Sequence, residues 1–175
     1  TFEEMSKGWP QLEELRQLTR GALAEMRMLL LELRPAALTE VALADLLRHL
    51  AAATSGRARL PVDVAVTGKP RTIAPETQVA LYRIAQEALA NAAKHSGARH
   101  ASILLRYDQE TVAMEVEDAG HGFDAAGVGG EHFGLRIMRE RAAAVGAHLN
   151  VDSGPGRGTT ITATWSERAE RGGTP

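Results

Sequence analysis

Residues 86 to 96 read Gln-Glu-Ala-Leu-Ala-Asn-Ala-Ala-Lys-His-Ser, and the fold is decided by what this stretch can be. Pro75-Glu76 upstream of it supplies a helix opening, so one long helix is predicted from about 75 to 95. Arg83, Glu87, Asn91 and Lys94 with His95 recur on it at steps of three or four and make a polar stripe, opposite a buried stripe of Leu81, Ala85, Ala88 and Ala92. A solvated helix face has the same pattern, but asparagine is a poor helix former, and Asn91 sits mid-helix. Its carbonyl is a hard oxygen able to complete the octahedron of a magnesium ion otherwise held by phosphate and water, and Lys94 is placed as a point charge for a phosphate.

Working outward, Pro61 to Val66 alternates and is β-branched, which predicts a strand closed by the turn Thr67-Gly68-Lys69-Pro70. Two more strands are predicted at about 99 to 107 and 111 to 117, then a helix from about Leu135 to Val145 and strands at about 147 to 153 and 158 to 165. Three glycine clusters punctuate this part. Asp118-Ala119-Gly120-His121-Gly122 follows a strand end, Gly127 to Gly134 leads into a helix start and can cradle an anion, and Ser153-Gly154-Pro155-Gly156-Arg157-Gly158-Thr159 joins two strands. Singly, each also fits an ordinary turn or hairpin. Interleaved helices and strands predict an α+β, two-layer sandwich with helices over one sheet face.

Before this region, Leu12, Leu15, Thr19, Ala22, Met26, Leu29 and Leu33 alternate steps of three and four, the seam of a helix that packs along another. Leu18, Leu23 and Leu30 widen the stripe, which suits a helical bundle. Pro35 stops that helix near Arg34, and a second, shorter helix is predicted over roughly 39 to 53, closed by Ser55-Gly56. The division expected is residues 1–35 as part of a bundle helix, 36–60 as a connecting helix and turn, 61–166 as the main domain and 167–175 as a tail.

Composition narrows the function classes. The 175 residues are 44% hydrophobic and 24% charged, near globular averages. A formal charge of -2 offers no basic face, so nucleic acid is not expected as a partner. The absence of cysteine excludes disulfides and thiolate metal sites and fits a reducing cytoplasm. No apolar run is long enough to cross a membrane, and a start at Thr1 suggests a piece of a longer protein.

Taken together, EALANAAKH, DAGHG, GLRIMRER and GPGRGT resemble the asparagine box and the three glycine boxes of the GHKL (Bergerat) ATP-binding fold, over roughly residues 60 to 165. That superfamily includes histidine kinases, DNA gyrase and mismatch-repair proteins. The preceding ALAEMRMLLLELRP is similar to the second dimerisation helix of sensor histidine kinases linked to NarL/LuxR-type response regulators, and QEALANAAKHS is similar to that subfamily's asparagine box.

The resemblance implies ATP and Mg2+ as ligands. Asp118 would accept a hydrogen bond from the adenine amino group, with Gly158-Thr159 fixing the same ring edge. Gly120 and Gly122 would let the backbone approach the nucleotide, Gly134 and Leu135 would start the helix beneath the phosphates, and residues of about 123 to 133 would form a mobile lid. Asn91 would hold magnesium, Lys94 would contact phosphate and His95 would stay near. Glu87 occupies the position of a water-activating base in ATPase branches, a step that a kinase with a histidine acceptor does not need. The acceptor histidine itself is absent: His49 lies beyond the Pro35 break, and His100, His121, His132 and His148 are scattered as surface or packing residues. The fragment is therefore expected to bind ATP without autophosphorylating, to dimerise through residues 11 to 33, and to lie in the cytoplasm, alone or as part of a membrane-anchored sensor. A nucleotide-driven conformational module (a pseudokinase) and an anti-sigma-factor serine kinase are the alternatives; the latter is not expected to carry the bundle helix.

Overall fold

The computed structural model describes Leu15, Thr19, Ala22, Leu23 and Met26, then residues 37–124 and 133–167. The first five are helical and exposed, and the Thr19 hydroxyl donates to the Leu15 carbonyl at 2.7 Å. The rest of the predicted seam at 11 to 33, most of the predicted lid, His132 and residues beyond Glu167 lie outside the described residues.

The elements in chain order are α1 (Ala37–Glu40), α2 (Leu43–Ala58), β1 (Val62–Gly68), α3 (Pro75–Asn91) with a π-helical continuation over Ala92–Ser96, β2 (Ala101–Tyr107), β3 (Thr111–Asp118), α4 (Phe133–Ala144), β4 (His148–Ser153) and β5 (Thr159–Ser166). The five strands form one sheet in the order β1-β2-β3-β5-β4. Only β1 and β2 are parallel, as the long α3 crossover between them requires, and the other pairs are antiparallel.

Strand alternation sets the layers. Ile103 and Leu105 of β2, Met114 and Val116 of β3, and Ile161, Ala163 and Trp165 of β5 are buried on one face, while Thr160, Thr162 and Thr164 point to the other. Helices α2, α3 and α4 cover the buried face, giving the α+β, two-layer arrangement the sequence predicts. The predicted buried stripe of α3 is in place, with Leu81 and Ala85 at zero exposure and Ala88 and Ala92 also buried.

Two boundaries differ from the prediction. The helix predicted over 39 to 53 is the short α1 plus α2, and α2 runs through Ser55-Gly56 to Ala58. Its end is set instead by Arg59 in the left-handed region (φ 52°), after which Leu60 turns into the core. The Ser55 hydroxyl accepts a hydrogen bond from the Val62 amide at 3.1 Å, so a residue that reads as turn chemistry serves the start of β1. Leu43, Leu46, Leu47 and Leu50 of α2 belong to the same hydrophobic core as the sheet, and the Gln78 side chain donates to the carbonyls of Leu38 and, at 2.8 Å, Val41. The second difference is at the end of α3, where regular α-geometry stops at Asn91.

Candidate functional site

Sequence-distant glycine clusters meet at one end of the sheet. Asp118 is the last residue of the central strand β3, flanked in register by Ala101 of β2 and Thr159 of β5. Its carboxylate is buried and accepts a hydrogen bond from the Gly120 amide at 2.9 Å, which tightens the turn out of the strand. Thr159 is equally buried beside it.

The turn after Asp118 is fixed on two sides. The Ser96 carbonyl, at the end of the π turn, accepts from the His121 amide at 2.8 Å, and the His121 carbonyl accepts from Gly156 at 2.6 Å. Ser96 is buried, and its hydroxyl donates to the Ala92 carbonyl at 2.7 Å while accepting from Ala98 at 3.0 Å. The His121 ring lies over Gly97, leaving no room there for a Cβ.

Ser153 completes the link. Its hydroxyl donates to the Gly158 carbonyl at 3.0 Å, accepts from the Phe123 amide at 2.9 Å, and lies 3.0 Å from the Thr159 hydroxyl. A serine hydroxyl has one proton, already given to Gly158, so Thr159 is the donor in that pair and keeps its own lone pairs. Ser96, His121 and Ser153 are organisers that motif reading passed over, because their roles are hydrogen bonds between stretches far apart in sequence.

The glycines are dictated by this crowding. Gly158 has φ +76°, and a Cβ there would run into the Asp118 carbonyl; Gly122, with φ +62°, faces the Gly154 and Gly158 carbonyls. A Cβ on Gly120 would meet Ser96. Across the site, Gly134 in the first turn of α4 lies directly against the Glu87 carboxylate, with the Asn91 amide nitrogen 3.3 Å from where a Cβ would stand. Leu135, Met138 and Ala142 are buried and hold α4 to the core in that position.

Thus Glu87 and Asn91, both half-buried, stand against Gly134 at the start of α4, whose Leu135 is in the core, while Asp118, Gly120, Gly122, Gly158 and Thr159 cluster at the end of β3 and the start of β5. Lys94 and His95 are exposed on the π turn that begins after Asn91 and ends at Ser96. A π turn widens the helix by about one residue per turn, so these two side chains leave the strict stripe predicted for an α-helix. Among the described residues no cluster of three or more His, Cys, Asp or Glu suits a metal by itself. The hard oxygens of Asn91 and Glu87 fit an ion that takes one or two protein ligands and completes its shell elsewhere. The described helices also include none long and apolar enough to cross a membrane.

Comparisons with known proteins agree with this geometry. Residues 76–169 match the family described as histidine kinase-, DNA gyrase B-, and HSP90-like ATPase. The sensor histidine kinase MctS of Rhizobium johnstonii is 36% identical over 154 residues, covering 86% of this chain and 33% of that protein. The signal transduction histidine-protein kinase/phosphatase DegS of Bacillus subtilis is 33% identical over 160 residues, covering 88% of this chain and 42% of that protein. Among solved structures, the histidine kinase domain of a blue-light activated histidine kinase from Erythrobacter litoralis superposes with a TM-score of 0.61 at 25% identity, over 77% of this chain and 65% of that one. The chain spans between 33% and 43% of the length of MctS, DegS and the staphylococcal sensor protein VraS.

Proposed function

This chain belongs to the histidine kinase-, DNA gyrase B-, and HSP90-like ATPase family, and from that premise we propose that it is the ATP-binding catalytic domain of a two-component sensor histidine kinase. The parent protein would transfer the γ-phosphate of ATP to a histidine outside this sequence, and thence to an aspartate of a response regulator. The observation that carries the reading is the meeting, at one sheet end, of a buried carboxylate, interlocked glycines and an asparagine-bearing helix from four separate stretches.

In this reading Asp118 accepts the adenine amino group. Guanine carries an oxygen at the corresponding position, and a carboxylate has no proton to offer it, so the choice of base follows from donor and acceptor type. Thr159, whose proton goes to Ser153, offers a lone pair to the same ring edge. Gly120, Gly122 and Gly158 let the turns around Asp118 pack closely enough to bring the backbone up to the nucleotide, and Gly134 with Leu135 opens the helix whose amides face the phosphates. Asn91 is the magnesium ligand, Lys94 the phosphate contact and His95 a neighbour of the site. Magnesium, when bound, neutralises charge on the phosphates. Glu87 lies against Gly134 together with Asn91.

The finer assignments rest on the sequence. The helix ending LELRP supports the NarL/LuxR-linked subfamily, a homodimer through residues 11 to 33 and a regulator of that type as partner. The exposure of Leu15, Leu23 and Met26, at 51% or more, supports a helix seam that needs covering. The same sequence supports the division at residues 35, 60 and 166 and a cytoplasmic place, within a membrane-anchored parent or free. Calorimetric titration of the chain with magnesium and a non-hydrolysable ATP analogue tests the core of the proposal. Saturable binding, weakened by Asn91→Ala, is expected, and no binding by the native chain would refute it. Light scattering tests the dimer, which a monomer at high micromolar concentration would contradict.

A further inference from the structure

At the sheet end that carries Asp118, strand register makes three polar residues lateral neighbours. Asp118 of β3 is paired with Thr159 of β5, and Thr159 is paired in turn with Ser153 of β4. Directly paired residues share a face of the sheet, so Thr159 stands in the row between the Asp118 carboxylate and the Ser153 hydroxyl.

The Ser153 hydroxyl is saturated. It gives its one proton to the Gly158 carbonyl at 3.0 Å and accepts from the Phe123 amide at 2.9 Å, which leaves one lone pair for the Thr159 hydroxyl at 3.0 Å. A threonine hydroxyl ordinarily turns its proton toward whichever neighbour accepts it. Here the proton has a fixed destination, because Ser153 can meet Thr159 only as an acceptor.

We propose that Ser153 is a positioning residue that sets base selectivity through Thr159. By holding the Thr159 proton, it turns toward the base an oxygen that can only accept. The inference rests on the reading of Asp118 and Thr159 as the adenine edge of the site. Two acceptors side by side suit the amino group of adenine, which has two protons to give. A purine with a carbonyl at that position, such as hypoxanthine or guanine, presents lone pairs to both and is refused by both. Asp118 alone would leave a way around this refusal, since a freely turning Thr159 hydroxyl could donate to the carbonyl and recover part of the loss. Ser153 closes that route.

The test is calorimetric titration of the chain with ADP and with inosine diphosphate, each with magnesium. The native chain is expected to prefer ADP. In Ser153→Ala the ratio of Kd for inosine diphosphate to Kd for ADP should fall about tenfold, roughly one hydrogen bond, and chiefly because inosine diphosphate binds more tightly. Ser153→Cys, which keeps the shape but offers a weaker acceptor, should fall between the two. In a Thr159→Val background, where there is no proton to direct, Ser153→Ala should leave the ratio unchanged. A site that is merely loosened binds both nucleotides more weakly and gains affinity for neither. A native preference for ADP that Ser153→Ala leaves intact overturns the inference and leaves the ATP-binding reading standing, as does an equal fall in the Thr159→Val background. A native chain that binds both nucleotides alike overturns the inference together with the adenine assignment, and one that binds neither overturns the ATP-binding reading itself.

Discussion

Asp118→Asn changes one oxygen for an NH2 group at the centre of the proposed adenine site. The side chain keeps its size, and the amide oxygen can still accept from Gly120, whose bond to the carboxylate is 2.9 Å. The fold should therefore lose less than about 1 kcal/mol, the difference between a charged and a neutral acceptor for one bond. The nucleotide loses more. If the amide oxygen stays on Gly120, its NH2 group faces the adenine amino group, donor against donor, in a position with 8% exposure where water offers little replacement. A hydrogen bond to a charged group contributes about 1.5–3 kcal/mol. At 1.4 kcal/mol per factor of ten, Kd for the ATP analogue should rise about 10- to 150-fold. The assay is paired: calorimetric titration for Kd and urea denaturation for stability on the same preparation. An unchanged Kd would refute the assignment of Asp118 to adenine. A loss of binding that tracks an equal loss of stability would instead make Asp118 a structural residue.

Three further outcomes follow from the packing. Gly158→Ala puts a Cβ against the Asp118 carbonyl at a φ of +76°, so urea denaturation should register a loss of at least about 1–2 kcal/mol, and the ATP analogue should bind more weakly because the Asp118 turn shifts. Gln78→Leu leaves the Leu38 and Val41 carbonyls without their donor, and stability should fall by about 1–3 kcal/mol, with hydrogen-exchange protection lost first in α1 and the start of α2. Burial raises the pKa of Tyr107 above 10.0, with Asp45 adding to the shift and Arg48 opposing it. A raised folded pKa gives stability that is fully present below pH 10 and lost as pH climbs through the folded value, because the unfolded chain ionises first. Tyr107→Phe should therefore lose less stability than the native chain above pH 10 in alkaline denaturation followed by circular dichroism.

The nucleotide fold was legible from local pattern. Period-two alternation in β1 and the stripe through Leu81, Ala85, Ala88 and Ala92 are each written in a few neighbouring residues, and packing leaves such patterns in place. Asn91 stood out because its type is unusual inside a helix, whereas Asp118, Gly134 and Thr159 were picked out through the resemblance of their motifs to the GHKL boxes. What the sequence by itself determined is thus the class of fold and the identity of the residues that meet. Only the tertiary structure decided how they are held. Ser55-Gly56 looks like a helix stop, yet α2 continues because Leu50 and Leu60 are both pulled into the core and Ser55 finds the Val62 amide. The stripe through Lys94 and His95 is drawn for an α-helix, but the helix end opens into a π turn that presents the Ser96 carbonyl to His121. Ser153, with bonds to Phe123, Gly158 and Thr159, carries no mark in its own neighbourhood. Periodicity records which face of an element is buried, whereas a hydrogen bond between stretches 30 residues apart exists only once the core has brought them within 3 Å.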